Sequence, residues 1–195
     1  MPRLTLLAAL FVLPVALAAQ EAPVPDTLYT LSADEIPATE APEPEPAMTL
    51  ERLDAVIRAL DPEAQGNGKV WQFTIDGVQV LVVTDARADR MRAIAPVARS
   101  AEVTPEQMTR MMQANFDSAL DARYAIARDV LWSAYIHPLA ALQKDQLISG
   151  IGQVVNLVQS FGTLYSSGGL LFGGGDSGAL QRALIDELLK KGEEI

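Results

Sequence analysis

The stretch NFDSALDARYAIARDVLWSAYIHPL, Asn115 to Leu139, decides the fold. It reads as the end of one helix, a tight antiparallel strand pair and the start of a second helix. Ala122 to Ala127 and Val130 to Ile136 are the two strands, with Arg128-Asp129 at the bend. Period-2 alternation puts Tyr124, Ile126, Leu131 and Tyr135 on one face. Ala125, Ala127, Val130, Trp132 and Ala134 take the other, and their small side chains predict a helix packed closely against them. His137-Pro138 ends the second strand, with Pro138 near the first position of the next helix.

A stronger hairpin lies upstream. Val70 to Thr84 alternates around Asp76-Gly77, a dipeptide suited to a type I′ turn because both positions tolerate positive φ. A two-residue loop pairs Ile75 with Val78, Phe73 with Val80 and Trp71 with Val82, all apolar and all on one face. Gln72, Thr74, Gln79 and the less polar Leu81 face the other way. Asp85 to Arg90 is a polar turn. Met91 to Val97 is a third strand, which Pro96 places at an edge or ends.

Three helices flank these strands. Thr49 caps the first, whose Leu50, Leu53, Ile57 and Leu60 recur at helical spacing until Asp61-Pro62 stops it; Gly66-Asn67-Gly68 is a loop. Thr104-Pro105-Glu106-Gln107 opens the second with a capping box, and Met108, Met111, Met112 and Phe116 are its expected buried side. Methionines also suit an adaptable binding surface, but their helical spacing favours core. The third runs through Leu139, Leu142, Leu147, Ile148, Ile151, Val154, Val155, Val158 and Phe161. No charge follows Asp145 until Asp176, so this helix needs cover on more than one side.

The ends of the chain are of different composition. Residues 1–18 read as a secretory signal peptide, with Arg3, an apolar run from Leu4 to Leu17 and small residues at Ala16 and Ala18, giving cleavage near Ala18. The expected destination is the periplasm or the medium; with no cysteine, no disulfide and no lipid attachment are expected there. Residues 19–47 form an acidic Pro-rich spacer expected to be disordered. Residues 20–47 hold seven acids and no Lys or Arg, whereas residues 48–165 hold thirteen acids and eleven bases. The net charge of −10 therefore belongs mostly to the ends, and no basic patch suits nucleic acid. Residues 166–177 are a Gly-rich linker carrying Leu170-Leu171-Phe172, and 178–191 a C-terminal amphipathic helix.

The expected fold is α+β, in the order α-β-β-β-α-β-β-α, an antiparallel sheet covered by helices over residues 48–165. That order, with Trp71 to Gly77, Asp89 to Arg92 with Pro96, Ala114 to Asp117, Leu120 to Ile126 and Leu131-Trp132 to His137-Pro-Leu139, resembles the type III secretion chaperone-like fold, including the YbjN-type bacterial domain. The resemblance implies a domain that holds polypeptide segments, often as a dimer, without chemistry of its own. The signal peptide departs from those mainly cytoplasmic chaperones.

No catalytic constellation stands out. His137 is the sole histidine and reads as a turn residue rather than a general base. Zinc ligation by Cys and His clusters is unavailable, and no calcium, phosphate or dinucleotide loop is present. No cofactor is expected. Arg90, Arg92 and Arg123 with Asp117 and Asp121 are the candidate site: a structural ion-pair network, or a site for an acidic peptide. The expected function is a non-enzymatic periplasmic protein- or peptide-binding, chaperone-like module, its partner another protein or a second copy. Two other classes stand beside it: a carboxylate-based hydrolase, and an envelope accessory protein touching lipid through Leu170-Leu171-Phe172 and the last helix.

Overall fold

The computed structural model describes residues 45–117, 119–162 and 179–193, with backbone only at 117 and 179–181. The signal-like segment 1–18, nearly all of the acidic segment 19–47 and the Gly-rich 166–177 lie outside the described residues. The described residues belong to one compact unit, Pro44–Ile195.

The sequence folds as α+β. In chain order it forms α1 (Leu50–Leu60), β1 (Gln65–Gly66), β2 (Val70–Ile75), β3 (Val78–Asp85), β4 (Arg90–Arg99), a 3-10 turn (Ser100–Glu102), α2 (Pro105–Asp117), β5 (Arg123–Ala127), β6 (Val130–His137), α3 (Lys144–Ser160) and α4 (Ala179–Gly192). The six strands make one antiparallel sheet in the order β1-β2-β3-β4-β6-β5.

The hairpins have the expected registers. Ile75 pairs with Val78, Phe73 with Val80 and Trp71 with Val82 around Asp76 (φ 48°) and Gly77 (φ 76°), the two positive φ values of a type I′ turn. Arg128 (φ 51°) and Asp129 (φ 60°) turn the second hairpin the same way, with Ala127 opposite Val130. Neither residue is glycine, so the turn is held in a region L side chains disfavour, supported by the strands on either side.

One face of the sheet is core. Trp71, Val82, Ala93 and Tyr135 form a buried cross-strand row, and Ala95, Ser133 and Tyr124 a second. α3 lies against this face, and small residues let it come close: a Cβ at Gly150 would stand 2.6 Å from the Tyr135 ring. α4 covers α3 from outside, where a Cβ at Gly152 would meet Ile185 at 2.8 Å. That double cover explains why residues 150–157 of α3 are all buried.

Several sequence expectations are corrected. The alanine-bearing face of the second hairpin is not the helix-covered one; α3 packs on the opposite face, where Ala93, Ala95 and Ser133 supply the small side chains. Helix α3 starts at Lys144, not at Pro138, because residues 138–142 are tied elsewhere: Leu139 and Ala140 N–H donate to the backbone oxygen and carboxylate of Asp89, and Met48 N–H to the Ala140 carbonyl. Gln143 and Gln146 form its capping box. Pro96 is not at an edge. It lies in the central β4 opposite Trp132, but β3 pairs only as far as Ile94 and the register with β6 shifts between Pro96 and Ala98, so the ladder is already interrupted there. β1 is an added two-residue strand that takes Gly66 from the expected Gly66-Asn67-Gly68 loop. On α2, Met111 and Ala114 are buried while Met112 and Phe116 are 51% and 72% exposed.

Candidate polypeptide-binding face and adjoining notch

Strand parity fixes which side chains stand on the face opposite α3. Leu81, Ile94 and Ala134 form one row ending in Arg123. Val83, Arg92 and Ile136 form the next, and Pro96, Trp132 and Ala125 a third. Leu81, Val83, Ile94, Trp132 and Ala134 are half-buried by one another, while Ile136 is 61% exposed. The result is an apolar field carrying arginines. Among the outward positions of β3 to β6 the one carboxylate is Asp85, and its Oδ1 accepts from the Arg87 and Ala88 N–H groups of its own turn.

The predicted site residues are thus split. Arg92 and Arg123 stand in neighbouring rows of this face, and Arg90 lies at its end, its Nη1 donating to the Asp89 carbonyl 2.8 Å away. Asp121 lies in the turn before β5, and the side chain of Asp117 lies outside the described residues. None of the four ion pairs among the described residues joins any of these groups; those pairs are Arg52–Glu45, Arg58–Asp54, Arg182–Asp186 and Lys191–Glu187. What fixes the turn is hydrogen bonding. Arg123 Nη1 donates to the carbonyls of Leu120 (2.8 Å) and Ala122 (2.7 Å). From α3, the buried Gln153 accepts the N–H groups of Asp121 (2.8 Å) and Ala122 (3.0 Å) on Oε1, and its Nε2 donates to Asp121 Oδ2 and Ser149 Oγ.

Asn115 closes the other side of β5. Its Oδ1 accepts the Tyr124 N–H at 2.7 Å and its Nδ2 donates to the Tyr124 carbonyl at 3.2 Å, so one amide side chain acts as a single strand residue. Sequence reasoning missed Asn115 and Gln153. Gln153 left a trace, an amide set between Ile151 and Val154-Val155 in the buried run of α3.

Below the start of β5 the sheet has a notch, a cavity of about 550 Å³. β6 contributes Tyr135, Ile136 and His137, the turn Asp121 and Arg123, α3 Asp145, Gln146 and Ser149, and α4 Arg182 and Leu189. His137 Nδ1 donates to the Pro138 carbonyl at 2.8 Å, a local bond in keeping with a turn role. Its ring stacks on Tyr135, centroids 6.0 Å apart. Burial, helped by the Asp121 carboxylate, pushes the Tyr135 phenol up to about 12. Because the folded-state value is raised, the neutral phenol supports the fold below the ordinary value of 10, and that support is lost as pH rises through 12. Unfolding midpoints measured from pH 9 to 12 are expected to fall more steeply in the native protein than in Tyr135→Phe; equal slopes would contradict the assignment.

Among the described residues no group of His, Cys, Asp or Glu is placed to hold a metal ion, and no helix is long and apolar enough to cross a membrane.

No family model matches the chain, and no curated protein matches it. Solved structures with a similar chain path include the HopA1–SchA chaperone–effector complex, 13% identical over 56% of this chain and 88% of that one, with a TM-score of 0.43. The Yersinia pestis type III secretion chaperone SycH, solved with a fragment of YscM2, is 18% identical over 57% of this chain and 96% of that one, TM-score 0.45. The ExsC–ExsE complex is 12% identical over 55% and 94%, TM-score 0.41. Each of the three is a complex of two proteins.

Proposed function

We propose that this chain is a non-enzymatic, chaperone-like binding module that holds an acidic, partly apolar polypeptide segment on the uncovered face of its sheet. One observation carries the reading: the face away from α3 is an apolar field on which, among the described residues, Arg92 and Arg123 have no carboxylate partner, in a protein of net charge −10. A second copy fits this face poorly, since a two-fold pairing sets like against like and offers the arginines only Asp85, whose Oδ1 is held in its own turn. The helix, three strands, helix, two strands, helix order supports placing the domain with YbjN-type, secretion-chaperone-like folds. The signal-like residues 1–18 support export to the periplasm or beyond; mass spectrometry of the exported protein should then find Ala19 as its first residue.

An array of ten-residue peptides alternating Val or Ile with Glu, Ser or Lys tests the binding. Glu-bearing members should be captured and Lys-bearing members not, with capture falling as salt rises. Arg92→Glu should weaken the best Glu peptide roughly fivefold, the scale of 1 kcal/mol for a partly exposed charge pair. Equal capture of Glu and Lys peptides would end the acidic-segment reading.

A second reading, a carboxylate hydrolase, draws on Asp121 and Asp145 lining the same cavity. Against it, Asp121 already accepts a hydrogen bond from Gln153 within the network that fixes the turn.

A further inference from the structure

The notch holds a buried phenol that the fold does not use. Along β6 the alternation that sends Trp132, Ala134 and Ile136 to the open face turns Leu131, Ser133 and Tyr135 under α3. Gly150 of α3 gives the Tyr135 ring its room, and the residue is left 5% exposed. A phenol placed that deeply usually finds a hydrogen-bond partner. The Tyr135 hydroxyl has none among the described residues, yet it is not sealed into the core, because Tyr135 lines the notch. The charge that reaches it is that of Asp121, on the wall of the same cavity.

The charged groups around that hydroxyl are not equally engaged. Arg123 Nη1 is turned to the Leu120 and Ala122 carbonyls, and Arg182 is paired with Asp186 on its own helix. The two carboxylates are freer. Asp121 accepts one long bond, 3.3 Å from Gln153 Nε2, through Oδ2 alone. Asp145, in the first turn of α3, makes no ion pair or hydrogen bond among the described residues. The acids come from different walls, the turn before β5 and the helix, and Leu189 of α4 adds an apolar side. Two carboxylates are too few for a hard metal ion, which takes six or more oxygens, and no group of three acids or histidines converges among the described residues.

We propose that the notch is a small-molecule site for a linear aliphatic diamine, with one ammonium group on Asp121 and the Tyr135 hydroxyl and the other on Asp145. The methylene chain between them lies against Leu189. Each ammonium carries three donors, which suits a free carboxylate oxygen and a phenol oxygen that has no partner of its own. A cavity with an apolar wall and a few polar groups is the usual form of such a site. The site stands apart from the polypeptide-binding reading, because it uses the α3 side of β6 and none of the apolar field carrying Arg92.

The test is calorimetric titration of the full chain at fixed ionic strength with putrescine, cadaverine and butylamine. One of the diamines should bind about fivefold or more tightly than butylamine, the scale of one partly exposed charge contact. Asp121→Asn and Asp145→Asn should each bring that diamine down to the butylamine value. Tyr135→Phe, which keeps the ring against Gly150, should weaken the diamine roughly fivefold, the scale of one hydrogen bond. Diamines that bind no better than butylamine would overturn the proposal. So would a diamine that binds equally well to both asparagine variants, since the acids of residues 20–47 would then be the binders. Should a variant fold poorly, methyl NMR of the native protein decides: putrescine should shift the Leu189 methyls and leave Leu81 and Ile94 in place, and an unmoved Leu189 would contradict the site. Neither result bears on peptide capture by the open face.

Discussion

Trp71→Ala is expected to lower stability by about 3–5 kcal/mol, enough to unfold much of the population of an average domain. The indole is fully buried at the head of the row that runs through Val82 and Ala93 to Tyr135. Gly66 of β1 lies so close that a Cβ there would stand 2.4 Å from the ring, so the indole also seats that strand. Its Nε1 donates to Asp54 Oδ1 on α1 at 2.8 Å, joining the first helix to the sheet. Truncation therefore removes a large apolar volume and leaves Asp54 with Arg58 as its side-chain partner. Urea unfolding followed by circular dichroism should show the full loss in Trp71→Ala and a smaller one in Trp71→Phe. A loss under 1 kcal/mol would show that the row is not the centre of the core. The bond to Arg58 first, and then the indole N–H, hold the Asp54 carboxyl below its ordinary 3.8. A depressed folded-state value gives support above 3.8 that fades as pH falls through the lower folded value. The group is largely solvated, so this is a small effect beside the packing.

Gln153→Leu is expected to be nearly as damaging, for a different reason. The apolar replacement is similar in volume, so little packing is lost. What is lost is the one acceptor shared by two backbone N–H groups, those of Asp121 and Ala122, the second of them buried. An abandoned buried donor costs about 1–3 kcal/mol, a cost that falls in full on the Ala122 N–H and in part on the half-buried Asp121 N–H. The turn before β5 should loosen, with it the position of Arg123 and the floor of the notch. Amide exchange at Ala122 and Arg123 should accelerate in Gln153→Leu well before global unfolding is reached, and peptide capture should weaken with it. Unchanged exchange in that turn would show that Arg123 and Asn115 alone hold it.

The sequence made the hairpins legible because their signals are local. Asp76-Gly77 sets a turn, the turn sets a register, and the register sets which side chains are buried. Arg128-Asp129 was a weaker signal, but alternation on both sides carried it. What was not legible depended on distant partners. Ala125, Ala127 and Ala134 look like a surface awaiting a helix, and only the arrangement of four strands shows that Ala93, Ala95 and Ser133 hold that place. Pro138 looks like a helix start until Asp89, far upstream in the chain, takes the N–H groups of Leu139 and Ala140. Met112 and Phe116 share helical spacing with Met108, yet the helix turns them to solvent because Ala114 and Met111 define the contact side. The arginines of the candidate site were visible as charges; that Arg92 and Arg123 share an uncovered face follows from strand order, which no short stretch encodes.

The most direct test of the binding face is methyl NMR of the full chain titrated with the best Glu-bearing array peptide. The account predicts that the Leu81, Val83, Ile94 and Ile136 methyls shift together with one saturation curve while Leu53, Ile57 and Val155 in the core stay in place. Shifts confined to Met112 and to residues beside Phe116 on α2, with the sheet methyls unmoved, would contradict it.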